Sequence, residues 1–137
     1  MNKSWKEARP YLLSLIPIEK YDCPGIYCIK VNNRILYIGK SSNMRNRLAA
    51  HLYHILTLDD QGNKYIVLNY LQAFFPIEFD VLVYCSEDEI AQQEALYIHK
   101  YFPLLNYQIP KIENPRSFET NKRAKSISPA EVLQEIR

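Results

Sequence analysis

A chain of 137 residues, 47% hydrophobic and 23% charged, has the composition of one ordinary globular domain, which excludes a long disordered or fibrous protein. A formal net charge of only +2 means that any surface for a polyanion must be a local cluster. No apolar run is as long as a membrane span and no signal-peptide pattern is present, so we expect a cytoplasmic protein without membrane association. The odd number of cysteines, without metal-ligand spacing, predicts reduced and buried thiols: Cys23, Cys28 and Cys85.

The chain predicts helices and strands in a definite order. Capping-box spacing occurs at Ser4 with Glu7 and at Ser86 with Glu89. In chain order we predict a helix from Ser4 that Pro10 kinks or divides, strands over 25–31 and 34–39 joined by an Asn32-Asn33 turn, a helix from 40–43 to about 54–57, a helix over 64–75, a strand over 77–83, and a helix that ends before Pro103. The predicted fold class is α/β in the mixed α+β sense, with a small, three-stranded, mostly antiparallel sheet flanked by helices.

Both ends of the chain are predicted to be additions to a central domain. We expect a helical extension over 1–23, the domain over 24–106, and a basic, partly flexible tail over 107–137. The tail has six basic and four acidic residues, whereas the domain has seven and eight. Residues 114–126 predict a loop or disorder, and residues 128–131 begin a short final helix with a cap, a proline and a glutamate.

The helix after the predicted hairpin has three basic side chains on one face. Arg47, His51 and His54 are spaced at i, i+4 and i+7, which places them one above another. Such a cluster is suited to an anion such as a phosphate. A solvated polar face is the commoner explanation of this pattern, and the spacing by itself does not exclude it.

The last helix of the domain carries a carboxylate in an apolar stripe. At about 100° per residue, Glu94 falls on the same side of this helix as Ile90 and Ile98. Burying a carboxylate there is costly unless it is paired or binds a metal. The residues leave two explanations open, a metal ligand or a salt bridge to Arg47 or Lys40.

Several elements, in order and at characteristic spacings, resemble the GIY-YIG nuclease family. Gly25-Ile26-Tyr27, nine residues, and then Tyr37-Ile38-Gly39 match the two tripeptides that name the family. The other matches are a lysine after the second tripeptide, an arginine, a histidine one turn later, a glutamate on a later helix and an asparagine after a proline: Lys40, Arg47, His51, Glu94 and Asn106. The resemblance covers roughly residues 24–106.

The resemblance implies a DNA endonuclease that hydrolyses a phosphodiester bond with one divalent metal ion. Glu94 would hold Mg²⁺, which suits one carboxylate, phosphate oxygens and water, and Mn²⁺ should substitute. Two-metal sites need several carboxylates around a shared centre, and only Glu94 is an acid within an apolar stripe. Arg47 would bind the phosphate, and either Tyr27 or Tyr37 would orient or deprotonate the attacking water, with ordinary strand packing as the alternative for both.

The remaining matches imply supporting roles. Lys40 and His51 would contact the phosphate or lower the pKa of a tyrosine. Asn106 follows a predicted helix end, where asparagine accepts a left-handed conformation, and we expect it to support the site together with Gly25 and Gly39. His54 and an additional histidine, His99, have no match in the family, and both are expected at the surface.

The expected partner is DNA, with a homodimer as a possible arrangement. The terminal extensions would then recognise the substrate or form the dimer, and basic residues of the tail would follow a phosphate backbone. Restriction, homing and repair substrates all remain open at this stage. The alternative function is a catalytically silent nucleic-acid-binding module on the same scaffold, against which the complete set of matched residues counts.

Overall fold

The structure is a computed structural model that describes residues 3–137, so that residues 1 and 2 of the predicted extension lie outside it. In chain order its helices and strands are α1 (Trp5–Ser14), α2 (Ile18–Tyr21), β1 (Gly25–Val31), β2 (Arg34–Ser41), α3 (Met44–Thr57), α4 (Asn63–Leu71), β3 (Ile77–Tyr84), α5 (Ile90–Tyr101), β4 (Gln108–Pro110), β5 (Phe118–Thr120), α6 (Lys122–Ser126) and α7 (Pro129–Ile136).

The central sheet has three antiparallel strands in the order β2-β1-β3. Asn32 and Asn33 connect β1 to β2 with φ angles of 49° and 66°. Asparagine tolerates this left-handed conformation, and turns of this kind match the twist of a two-stranded ribbon. The α+β class with a small antiparallel sheet between helices is therefore confirmed.

The middle strand β1 is buried on both faces. Tyr27 and Ile29 point to the side that α1, α3 and α4 cover. Ile26 and Cys28 point to the opposite side, where they pack with Ile98 of α5. Because successive side chains of a strand alternate between faces, a strand buried on both sides needs the nearly continuous apolar run that β1 has.

Two helix boundaries differ from the predictions. Pro10 does not divide α1, which is a single helix, and the proline removes only the one helical hydrogen bond that its missing N–H would donate. Helix α4 ends at Leu71, before the predicted Phe75, and residues 72–74 continue as turns. The backbone N–H of Ser86 donates to Glu89 Oε1 over 3.3 Å, but this contact closes a turn and α5 begins only at Ile90.

The tail is ordered in a way that the sequence did not predict. The expectation of a loop or disorder over residues 114–126 is wrong in part, because β5 and α6 lie there. Helix α7 buries Val132, Leu133 and Ile136 in the same apolar cluster as Leu68 of α4. This burial stabilises α7, because a helix this short is marginal alone and gains most of its stability from packing. The division of the chain at residues 24 and 106 itself stays a prediction.

The three cysteines test the expectation of reduced and buried thiols. All three cysteines are free; Cys28 is buried, whereas Cys23 and Cys85 are half-buried, so burial was predicted correctly only for Cys28. Across residues 3–137, no helix combines the length and apolar character needed to cross a membrane.

Candidate active site

The predicted site residues gather at a cavity beside the edge strand β2, between α4 and α5. The cavity has a volume of about 450 Å³, and its walls include Tyr37, Lys40 and Glu94. By the register of the hairpin, Tyr37 pairs with Ile29 and Lys40 pairs with Ile26, so the two side chains leave β2 on opposite faces. Both reach the cavity because β2 has no strand on its outer side.

Glu94 is a poorly exposed carboxylate at one end of this cavity. Its side chain is 15% exposed, and its Oε1 lies 3.6 Å from Lys40 Nζ. Burial raises the pKa of Glu94, and the neighbouring Lys40 and, to a smaller extent, Arg47 oppose this rise by favouring the charged form. The salt bridge that the sequence left open therefore forms with Lys40, and it forms where the carboxylate also faces the cavity.

A buried row of three hydrogen-bonding groups lies beneath the cavity. The Tyr27 hydroxyl is 2.6 Å from His51 Nε2, and the Tyr65 hydroxyl is 2.8 Å from His51 Nδ1. His51 is fully buried; its burial, followed by the nearby cations Lys64 and Arg47, lowers its pKa well below the usual range. The imidazole is therefore neutral at pH 7, and one tyrosine donates to it while the other accepts.

This row corrects the expectation for His51. A side chain with no exposed surface and with both ring nitrogens engaged by Tyr27 and Tyr65 cannot contact a phosphate directly. His51 reaches the cavity only through its hydrogen-bonded neighbours, of which Tyr65 lines the cavity and Tyr27 does not. His54 is also not a surface residue, because it is half-buried and its Nδ1 is buried without a partner among the described residues. His99 is exposed, as expected, with its Nε2 2.8 Å from the carbonyl oxygen of Pro110.

The two signature tyrosines differ in their access to the cavity. Tyr37 lines it, whereas Tyr27 is 1% exposed and lies below. Burial raises the pKa of Tyr37 to about 12, with Glu94 adding to the rise and Arg47 opposing it. Burial likewise raises the pKa of Tyr27, again against Arg47. Arg47, rather than Lys40 or the neutral His51, is the cation that favours both phenolates, and burial outweighs it. The expected contact of Lys40 with the phosphate stays a prediction.

Arg47 projects from the exposed side of α3 toward this row. It is exposed, whereas His51, one turn later, is fully buried. The face that the sequence assigned to three basic residues is therefore divided. Arg47 is exposed overall, with its guanidinium close enough to favour the Tyr27 and Tyr37 phenolates, whereas the His51 imidazole lies in the core. The planar set of donors of an exposed arginine matches a phosphate, although Arg47 is not itself part of the cavity wall.

The two signature glycines permit close approaches around these side chains. A Cβ at Gly39 would overlap the ring of Tyr27, which crosses that position on the neighbouring strand. A Cβ at Gly25 would lie 2.7 Å from Met44 Cε and 2.8 Å from the Val83 carbonyl oxygen. Gly39 thus leaves the space that lets Tyr27 extend to His51.

Asn106 connects the segment after α5 to the edge strand. Its Oδ1 accepts from the backbone N–H of Ile38 at 2.9 Å, and its Nδ2 donates to the Ile38 carbonyl at 2.8 Å. The side chain is buried, so it replaces a missing neighbouring strand at this residue. Since Ile38 lies between Tyr37 and Gly39, these bonds hold the outer strand of the site in place.

Two residues of the site were not found in the sequence. The Nζ atom of Lys64 lies 4.4 Å from the ring centroid of Tyr37 and 5.1 Å from that of Tyr65. Burial, with Arg47 adding to it, lowers the pKa of Lys64 to about 8. The one signal in the sequence was a lysine in the first turn of a helix, where the helix dipole disfavours a cation. Tyr65 gave no signal beyond ordinary apolar spacing.

This fold and site place the chain among small α+β catalytic domains, and comparison with known proteins identifies the family. The family model described as the GIY-YIG catalytic domain matches residues 23–108. The chain therefore belongs to the GIY-YIG family.

The curated proteins that are similar to this chain share one name, UvrABC system protein C. UvrABC system protein C of Lactobacillus johnsonii is 30% identical over 98 residues, which are 71% of this chain and 14% of that protein. The protein of the same name from Lactobacillus helveticus is 28% identical over 122 residues, 84% of this chain and 18% of that protein. The chain thus spans less than a fifth of the length of these curated relatives.

Among solved structures, the magnesium-bound GIY-YIG N-terminal endonuclease domain of UvrC from Thermotoga maritima is 26% identical to this chain. The similarity covers 75% of this chain and 96% of that domain, with a TM-score of 0.46.

Proposed function

We propose that this chain is a metal-dependent endonuclease that hydrolyses a phosphodiester bond in DNA. The observation that carries the proposal is the cavity in which a poorly exposed carboxylate, Glu94, faces Tyr37, Lys40 and Lys64. A carboxylate for a cation, a hydroxyl for a water and basic groups for a phosphate are the components that such a hydrolysis needs. The name of the similar proteins, UvrABC system protein C, favours a repair substrate over a restriction or homing site.

The residues around Glu94 fit a single Mg²⁺ ion. The described residues contain no group of three or more histidines, cysteines or carboxylates that could enclose a metal. Mg²⁺ does not need such a cage, because it is commonly bound by one or two carboxylates, with water and substrate phosphates completing its octahedral shell. When bound, the ion supplies Lewis-acid polarisation of the phosphate and stabilises charge on the leaving oxygen. Mn²⁺ is expected to substitute.

The chain's own residues have different roles in the proposed hydrolysis. Arg47 binds a non-bridging phosphate oxygen as negative charge builds in the transition state, and Lys64 adds a second cation above the Tyr37 ring. Tyr37 orients the attacking water, because of the two signature tyrosines it is the one that lines the cavity. Tyr27 acts one step back, by holding His51 and the floor of the site. The sequence had left the choice between the two tyrosines open.

Phenylalanine at each tyrosine distinguishes these two roles. Tyr37→Phe is expected to lower the cleavage rate more than Tyr27→Phe, with little change in the free energy of unfolding. Tyr27→Phe should destabilise the protein by about 1–3 kcal/mol, because it leaves His51 Nε2 buried without a partner. The measurements are single-turnover cleavage from pH 6 to 10 and the melting temperature of each variant.

The pH dependence of the cleavage rate tests whether a tyrosine is the general base. A phenol whose pKa is raised to about 12 is protonated throughout this range, and its small phenolate fraction grows about tenfold per pH unit. If the Tyr37 phenolate is the base, the rate rises up to pH 10 without a plateau, and the rise is absent in Tyr37→Phe. A rise that both phenylalanine variants retain would show that neither tyrosine is the base.

The proposed activity is tested with supercoiled plasmid. We expect Mg²⁺ to produce nicked or linear DNA and EDTA to prevent it. Linear product formed without a nicked precursor would indicate that two copies act together, as a homodimer would, whereas nicked product alone indicates one active site for each event. DNA binding without cleavage at any Mg²⁺ or Mn²⁺ concentration would favour the silent binding module and contradict the proposal.

A further inference from the structure

Part of the cavity wall is made by the tail. Tyr107, Pro110, Phe118 and Lys125 line it. Strands β4 and β5 form a hairpin in which Pro110 pairs with Phe118, so the two side chains lie on one face of the ribbon. Tyr107 is held at the base of this hairpin, where its carbonyl accepts from the backbone N–H of Asn121 over 2.7 Å.

Two aromatic side chains of this wall are poorly covered by the protein. Phe118 is 48% exposed and Tyr107 is 39% exposed. The Lys125 Nζ atom lies 5.7 Å from the centroid of the Tyr107 ring. Exposed rings beside a cation form the kind of surface on which a nucleobase stacks while the adjacent phosphate is neutralised.

We propose that this tail wall binds one unstacked nucleobase of the DNA, beside the phosphate that is to be cleaved. This inference rests on the proposed endonuclease function and goes beyond it, because it specifies DNA with an unpaired or displaced base as the substrate. In a continuous duplex, neighbouring base pairs cover both faces of every base. Only a base that has left the stack presents a face to Phe118 or Tyr107.

The size and charge of the cavity agree with this occupant. A volume of about 450 Å³ lies within the range of roughly 300–1,000 Å³ that is usual for sites that enclose a small organic group. Three lysines and two carboxylates line it: Lys40, Lys64, Lys125, Asp60 and Glu94. The balance is positive, which suits a base that remains attached to its phosphates.

The test measures base stacking without cleavage. In EDTA, the protein is titrated into a duplex that carries one bulged 2-aminopurine, and into the same duplex with that base paired. We expect fluorescence quenching of the bulged probe only. Phe118→Leu, which keeps an apolar side chain but removes the ring, should remove the quenching and weaken binding of the bulged duplex by roughly 5- to 150-fold. Phe118→Trp should retain both.

Phe74 provides a matched control, because it is equally exposed at 48% and does not line the cavity. Phe74→Leu is expected to leave quenching and affinity unchanged. Equal behaviour of the Phe118→Leu and Phe74→Leu variants, or equal affinity of the wild-type protein for bulged and paired DNA, would overturn the inference. Because no cleavage is measured, quenching in a protein that cuts nothing would support the base site and contradict only the endonuclease proposal.

Discussion

Replacing Glu94 by glutamine is expected to abolish Mg²⁺ binding and cleavage while DNA binding persists. Glutamine keeps the shape of the side chain but removes the charge that a hard cation requires. The fold should be retained, because the side chain's ion pair with Lys40, at 3.6 Å, is longer than a direct hydrogen bond. Loss of several kcal/mol of transition-state stabilisation corresponds to about 10²- to 10⁴-fold in rate.

Calorimetric titration of Mg²⁺ and single-turnover cleavage are the measurements. Glu87→Gln is the matched control, since Glu87 is exposed in the turn before α5 and does not line the cavity, so both quantities should be unchanged. Unaltered Mg²⁺ affinity in Glu94→Gln would show that the ion binds elsewhere and that Glu94 serves only its salt bridge with Lys40.

Replacing Arg47 by alanine is expected to slow cleavage by about 10²- to 10³-fold, as for other preorganised groups that stabilise developing charge. The side chain is exposed, so the protein should fold with nearly the same melting temperature. Arg47→Lys should restore only part of the rate, because an ammonium group lacks the planar pair of donors that matches a phosphate.

Arg45, on the same helix, provides a control that distinguishes a loss of catalysis from a loss of stability. Its guanidinium donates to the carbonyls of Leu13 and Ile16 at 2.6 and 2.8 Å and so ties α3 to the end of α1. Arg45→Ala should therefore lower the melting temperature and leave the cleavage rate of the folded protein close to that of wild type. A loss of less than tenfold in Arg47→Ala would assign Arg47 to the solvated face that its helical spacing also allowed.

Local interactions let the sequence predict most of the sheet and its connections. The Asn32-Asn33 turn depends on the two residues that form it, and it brings the two signature tripeptides onto adjacent strands. The N-cap at Ser4 and the capping box at Ser128 with Glu131 likewise depend on neighbours within one helical turn. The position of Glu94 within an apolar stripe followed from helix geometry. Such features need no knowledge of what packs against them.

Only the tertiary structure decided which of the matched residues reach the cavity. Tyr27 and Tyr37 are equivalent in the sequence pattern, but β1 is the middle strand and β2 the edge, so Tyr27 is buried and Tyr37 lines the site. His51 shares a helical face with Arg47, yet Tyr27 and Tyr65 enclose it. In both cases the deciding contacts come from other elements, whose position relative to the strand or helix a local pattern does not contain.

The tail illustrates the same limit at a larger scale. The sequence determined that residues 128–131 begin a helix, because its cap is local. That α7 buries Val132 and Ile136 against α4, and that Phe118 completes the cavity wall, depends on surfaces distant in the chain. Burial depends on two surfaces that meet. The local sequence pattern predicts each apolar face of this chain, but it does not predict which other face will pack against it.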